Sequence, residues 1–126
     1  MPIKVGTDIM DIERFRQVLE RRPRLKDKIF TVGEVAYCEA KADPAPHFAA
    51  RFCAKEAFAK ALGTGVSKFS MFEVEVVNTK QGKPELELYG RARTAAVGAW
   101  VRDLDLSISH SNFVAIAVVV LETGEN

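Results

Sequence analysis

The chain has 126 residues, 48% of them hydrophobic, and its 18 Lys and Arg nearly balance 17 Asp and Glu for a net charge of +1. That length allows one sizeable core and is short for two, so a single domain over residues 1–126 is expected. The balance is far from the strongly basic character of a nucleic-acid-binding domain, so no nucleic-acid partner is expected and any anionic partner must be met by local patches.

At the N-terminus, Lys4, Asp8, Asp11, Glu13 and Arg14 break what would have to be an apolar signal-peptide core, and no long uncharged apolar run follows. A soluble, cytoplasmic protein with no membrane partner is the expectation. Ile3 to Val5 forms a short apolar run ending at Gly6, which predicts a strand delivering Thr7 and Asp8 to a loop. Asp11 is a good N-cap for an amphipathic helix carrying Ile12, Phe15 and Leu19 and ending near Arg22, before Pro23. Thr31 and Glu34 have capping-box spacing and open a second helix through Val35, Ala36 and Cys38. A long helix is predicted over His47 to Leu62, closed by Gly63 at the C-cap. Around Gln81-Gly82-Lys83-Pro84, the stretches 72–76 and 85–88 alternate with period two, as in a β-hairpin with one wet face. Arg91 to Leu104 reads as helix, and Leu106 to Ser109 and Phe113 to Leu121 read as strands. The last is apolar on both faces, as a central strand or an oligomer contact would be. Cys38 and Cys53 lack metal-ligand spacing and sit in alanine-rich helical segments, as buried thiols do.

The long helix carries the chemistry. Apolar residues nearly encircle it, yet it holds Arg51, Lys55, Glu56 and Lys60, and charges on a buried helix must be paired, bind a ligand or face a cleft. Glu56 and Lys60 lie one turn apart and could form a simple ion pair. Arg51 and Lys55 are a like-charge pair at the same spacing, either snorkelling from the helix rim or holding an anion between them. Asp8 has no evident capping duty, since Asp11 is better placed. If Asp8 and Glu56 met, they would suit magnesium, which takes one or two protein carboxylates and completes its octahedron with phosphate and water oxygens.

Five segments occur in order over nearly the whole chain. They are Gly6-Thr7-Asp8-Ile9-Met10-Asp11-Ile12-Glu13-Arg14-Phe15, Arg51-Phe52-Cys53-Ala54-Lys55-Glu56-Ala57-Phe58-Ala59-Lys60-Ala61, Gly63-Thr64-Gly65, Gly82-Lys83-Pro84 and Leu106-Ser107-Ile108-Ser109-His110-Ser111. Together they resemble the holo-acyl-carrier-protein synthases, short members of the 4′-phosphopantetheinyl transferases. The resemblance implies an α+β fold with an antiparallel sheet packed on a long buried helix, and a homotrimer with active sites at subunit interfaces. It implies coenzyme A as donor and an apo-acyl carrier protein as acceptor, in fatty acid or related biosynthesis. Carried onto matching positions, it makes Asp8 and Glu56 the Mg2+ ligands and Asp8, Glu56 and Lys60 the catalytic set. Lys60 then meets the coenzyme A diphosphate. Arg51, Gly63, Gly65, Pro84, His110 and Ser111 line the rest of the coenzyme A site, with His110 and Ser111 near the adenosine 3′-phosphate. The proton acceptor for the carrier serine is either Glu56 or a metal-bound water held by Asp8. The chain departs from the pattern at Cys53, where alanine is common, at His47, which stands at an aromatic or aliphatic position and reads as a helix-start or surface residue, and at Val66-Ser67-Lys68, which lacks a glycine.

With Ile12, Phe15 and Leu19 inward, Arg14, Gln17, Val18 and Arg21 share the outer face of the first helix, an apolar contact inside a basic rim. A solvated charge run would look alike. The resemblance makes Arg14, Val18 and Arg21 the dock for an acidic carrier protein. Two rival functions use the same groups: a metal-dependent phosphodiester hydrolase and a non-catalytic phosphate-binding module.

Overall fold

A computed structural model describes residues 2–63 and 68–124. The first strand, β1 (Ile3–Asp11), runs six residues beyond the apolar run that announces it. Thr7 and Asp8 therefore lie inside a strand rather than in a loop. The backbone ladder explains the difference: β1 pairs antiparallel with β5 (Val114–Thr123) over its whole length, from Ile3 opposite Glu122 to Asp11 opposite Val114. A polar pair in the sequence interrupts the side-chain pattern but not the hydrogen bonds. β4 (Val101–His110) pairs along the other edge, so β5 is the central strand of a three-stranded antiparallel sheet.

Asp11 caps α1 (Ile12–Arg21), its carboxylate accepting from the Arg14 amide at 2.8 Å, and Ile12, Phe15 and Leu19 are buried as the spacing predicts. A short helix α2 (Leu25–Ile29) leads to α3 (Val32–Glu39), where Thr31 and Glu34 form both bonds of a capping box. The long helix α4 (Ala45–Leu62) starts on a proline turn and stops at Gly63, whose φ of 79° is left-handed. Its apolar surface is mostly alanine, with Ala49, Ala50, Ala54, Ala57 and Ala61 buried beside Phe48 and Phe58. Small side chains let the sheet approach the helix backbone closely. At Gly6 the backbones nearly touch: a Cβ there would stand 2.6 Å from the Ala61 amide nitrogen and closer still to the Ala57 carbonyl oxygen.

Two expected boundaries move. The hairpin is β2 (Val74–Asn78) with β3 (Pro84–Leu88), and Phe72 and Glu73 instead belong to a 3-10 turn at Met71–Glu73. The helix expected to reach Leu104 is α5 (Gly90–Gly98), and β4 begins three residues later. The chain reverses at Trp100, a non-glycine residue with φ of 61°. From there Leu104, Leu106 and Ile108 alternate with Asp103, Asp105 and Ser107, a period-two signal that outweighs the helical composition of the preceding stretch.

Lys55 is not a rim residue. It is fully buried, and its ammonium donates to Glu34 Oε1 at 2.7 Å and to the carbonyls of Met71 and Val74. Glu34 also accepts from the Thr31 and Val76 amides, so one ion pair joins α3, α4 and β2. Burial pulls the Lys55 ammonium below its usual range, and Glu34 acts to hold it charged. Removing one partner strands a buried charge. Lys55→Met alone is expected to destabilise the protein by about 3–5 kcal/mol in urea unfolding, and the double variant Lys55→Met/Glu34→Leu by much less.

Candidate functional site

In β1 the even-numbered residues face α4, and this places Asp8 against the C-terminal half of the helix. Lys60 donates to Asp8 Oδ1 at 3.0 Å and to the Thr7 carbonyl at 3.1 Å. The Asp8 side chain is only 15% exposed, whereas Lys60 keeps over half of its side chain open to solvent. Glu56, one turn before Lys60, is half-buried. Burial pushes its carboxyl above the usual carboxylate range, the nearby charge of Asp8 adds to this, and Lys60 partly offsets it. Lys60 thus pairs with Asp8 across 52 residues of sequence, and Asp8 and Glu56 lie close enough to repel each other. A divalent cation would relieve that repulsion. Among the described residues no three His, Cys, Asp or Glu side chains gather at one point to hold a metal. A cation held by Asp8 and Glu56 would complete its shell with further oxygen ligands, and such a donor set suits magnesium.

Behind this pair, Cys53 is fully buried, with Sγ 3.6 Å from the Ala115 carbonyl. Burial, with Asp8 adding, pushes its thiol up to about 12, so it carries no thiolate chemistry near neutrality. Cys38 is likewise buried and its thiol raised to about 11. Gly63 ends α4 just beyond Lys60; Gly65, with Val66 and Ser67, lies outside the described residues.

A second group forms around the N-terminal half of α4. At about 100° per residue, Arg51 points some 140° away from Glu56 around the helix. Arg51 is 4% exposed; it donates from Nη2 to Asn78 Oδ1 at 2.6 Å, and its guanidinium lies 3.9 Å from the centre of the Tyr37 ring. Its Nε has no partner among the described residues. Arg51 and Lys55 therefore hold no anion between them: one turns to the hairpin, the other to Glu34. Asn78 is the register partner of Pro84, which brings that proline to the same end of the hairpin. His47, one turn before Arg51, has its ring 6.1 Å from Tyr37 and 5.4 Å from His110 at the end of β4. His110 Nδ1 is 3.3 Å from the Ser111 carbonyl. A carbonyl can only accept, so Nδ1 carries the hydrogen and Nε2 is left for a ligand. The Ser111 hydroxyl is committed to the turn, accepting from the amides of Phe113 and Val114.

Arg14, Gln17 and Arg21 are exposed on α1, and Val18 is half-buried between them. Among the described residues neither Arg14 nor Arg21 forms an ion pair, whereas Arg16 clamps Asp43 with bonds of 2.7 and 3.0 Å. On the sheet face turned away from α4, Ile3, Val5, Ile9, Ile116 and Val120 are all at least 36% exposed, and Val5 pairs with Val120 as Ile9 does with Ile116. A cavity of about 560 Å³ between α2 and α3, lined by Phe30, Val32, Val35 and Ala36 with Asp27 and Glu39, contains none of these groups.

Gly6 is read from the sequence only as the end of an apolar run and part of a family segment, and its packing on α4, the role of Tyr37 and the partnership of His47 with His110 are not read from it. His47 and Arg51 do share the one-turn spacing that could have linked them. Nothing in the sequence points to Tyr37, whose ring meets His47 and Arg51 of α4 and Lys41 of the turn after α3.

Residues 4–118 match the family model of the 4′-phosphopantetheinyl transferase superfamily. A holo-(acyl-carrier-protein) synthase of Caldanaerobacter subterraneus subsp. tengcongensis is 42% identical over 126 residues, covering 100% of this chain and 99% of that protein. Another, from Geobacter sp., is 48% identical over 93% of this chain and 95% of its own length. The crystal structure of a holo-(acyl-carrier-protein) synthase from Bacillus anthracis in complex with CoA (3′,5′-ADP) superposes with a TM-score of 0.79 at 33% identity, covering 96% of both chains.

Proposed function

The chain belongs to the 4′-phosphopantetheinyl transferase superfamily, and from that premise we propose that it is a holo-acyl-carrier-protein synthase. It moves 4′-phosphopantetheine from coenzyme A to a serine of an apo-acyl carrier protein and releases adenosine 3′,5′-bisphosphate. The observation that carries the reading is the convergence of Asp8 from β1 with Glu56 and Lys60 from α4, two carboxylates and one ammonium suited to a magnesium-bound diphosphate.

Phosphoryl transfer asks the protein mainly to align groups and balance charge. Asp8 and Glu56 would hold Mg2+, which when bound supplies charge neutralisation across the diphosphate of coenzyme A. Lys60 is held by Asp8 and the Thr7 carbonyl with its ammonium partly open, and from there it reaches a diphosphate oxygen. Glu56 has a carboxyl already raised above its usual range, which suits it to take the serine proton; a water oriented by Asp8 would serve the same step. Gly63 lets the backbone approach an oxyanion at the end of α4, and the family resemblance gives Gly65, outside the described residues, the same duty. Arg51, Pro84 and His110, with the turn set by Ser111, take the nucleotide.

These two groups face opposite sides of α4, so one coenzyme A meets both most simply where two copies of the chain adjoin. The exposed apolar face of Ile3, Val5, Ile9, Ile116 and Val120 supports that assembly, a homotrimer with sites at its interfaces. No helix among the described residues is long and apolar enough to cross a membrane. The reading places the protein in the cytoplasm, serving fatty acid or related synthesis.

The nucleotide product tests the proposal. Adenosine 3′,5′-bisphosphate is expected only when coenzyme A, magnesium and an apo-acyl carrier protein are all present. Release without the carrier would establish a hydrolase, and binding of coenzyme A without release would establish a phosphate-binding module.

The outer face of α1 supplies a separate expectation. With Arg14 and Arg21 exposed around Val18, reversing both to glutamate is expected to raise the KM for the carrier about tenfold or more at low salt. The KM for coenzyme A is expected to stay within about twofold, and added salt to shrink the carrier effect, because screening acts on exposed charges. An equal loss for both substrates would move the dock elsewhere.

A further inference from the structure

His47 has no part in the transfer as derived, yet it sits among cationic side chains. Lys41 lies with its ammonium 4.6 Å from the Tyr37 ring, and Arg51 stacks on the same ring at 3.9 Å. The His47 ring is edge-to-face with both Tyr37 and His110. The charged groups that act on His47 are thus Lys41 from the turn after α3, Arg51 from α4, His110 from β4, and Asp43, with the Tyr37 ring of α3 packed against it. Asp43 is the sole carboxylate among them, and Arg16 already holds both of its oxygens. Burial, followed by the charges of His110, Lys41 and Arg51, pulls the His47 imidazole below its usual range, so it is neutral in the free protein at pH 7.

Such a cluster lacks an anion. The buried Nε of Arg51 has no acceptor among the described residues, and His110 offers Nε2, which can donate to an anion only once the ring is protonated. A phosphomonoester carries about 1.5 to 2 negative charges at neutral pH and three acceptor oxygens. Placed here, it would offset the charges of His110, Lys41 and Arg51 that add to burial in disfavouring the protonated His47. The Asp8, Glu56 and Lys60 group faces the other side of α4, so on the reading above the diphosphate is already accommodated. The phosphate left over is the 3′-phosphomonoester.

Resting on that reading, we infer that His47 is a specificity-determining residue: with His110 it makes the cluster a proton-gated receptor for the 3′-phosphate. The preference for coenzyme A over 3′-dephospho-coenzyme A then grows as pH falls, because the ligand is bound together with a proton. Its second ionisation, near pH 6, weakens this trend equally in every protein compared, so the comparison between proteins isolates His47.

The test is calorimetric, on the assembled protein, with wild type, His47→Gln and His47→Phe. Phe keeps the ring contacts with Tyr37 and His110, Gln keeps a polar group, and neither can take a charge. The ratio of the two Kd values is expected to be about tenfold larger at pH 6 than at pH 8 in wild type, and to change by about threefold or less in both variants. At pH 7, titration in buffers of different ionisation enthalpy is expected to show proton uptake with coenzyme A that falls in both variants. The same pH dependence in all three proteins would overturn the role of His47 alone. No preference for coenzyme A over its dephospho form in wild type at either pH would overturn the phosphate subsite itself, and this inference with it.

Discussion

Asp8→Asn and Glu56→Gln are each expected to yield a folded protein that has lost on the order of a hundredfold or more in kcat/KM for magnesium-dependent transfer. Metal and Lewis-acid stabilisation of a phosphoryl-transfer step is worth several kcal/mol, and this site offers two protein carboxylates to secure it. Both substitutions preserve volume while removing charge. The two variants should differ in stability. Because the folded protein holds the Glu56 carboxyl above its usual range, the unfolded chain ionises that group at lower pH than the native state does. The ionised carboxylate therefore costs native stability at pH 7, and that cost fades as the pH falls below the ordinary carboxylate range. Glu56→Gln is expected to unfold at the same temperature as wild type or higher at pH 7, with any gain shrinking toward pH 4. Asp8→Asn also relieves the repulsion with Glu56 but loses the ion pair with Lys60, so it is expected to melt no higher than wild type. Steady-state kinetics with titrated magnesium, together with thermal melts at the two pH values, check both halves. A near-wild-type rate in either variant would remove that residue from the metal site.

Gly6→Ala is the second large effect expected, from a residue that touches no ligand. One methyl group at this position meets the backbone of α4, at the Ala57 carbonyl and the Ala61 amide, where no side chain can turn away to make room. β1 must shift outward, and Asp8, two residues on, moves with it away from Glu56 and Lys60. Overpacking of this kind costs about 1–3 kcal/mol and occasionally more. A displacement of the order of 1 Å at a reacting centre can cost about a hundredfold in rate. The variant is expected to melt earlier than wild type and to have kcat lowered by about that factor, including at temperatures where circular dichroism shows it folded. A folded variant with unchanged kcat would mean that the geometry of Asp8 does not depend on this contact.

Local rules identified the elements that have local causes. Asp11 as a cap, the Thr31 and Glu34 box and Gly63 as the end of α4 follow from spacing alone, and each is found in place. Boundaries set by distant partners were not legible. β1 continues through Thr7 and Asp8 because β5 lies beside it, and α5 stops at Gly98 because the alternating run after Trp100 has a strand to pair with. The candidate site divides in the same way. Residue types on α4 announced buried charge, but the choice of partner did not: Lys55 goes to Glu34, and Lys60 to Asp8 rather than to its neighbour Glu56. Family resemblance supplied Asp8, Glu56 and Lys60 together. Their meeting in space depends on a glycine whose importance appears only once helix and sheet are packed.

The most direct test of the central claim is the mass of an apo-acyl carrier protein after incubation with this protein, coenzyme A and magnesium. The account predicts a gain equal to one phosphopantetheine group on a single serine, abolished by EDTA, by Asp8→Asn and by replacing that serine with alanine. A carrier of unchanged mass, recovered with intact coenzyme A from the wild-type reaction, would contradict it.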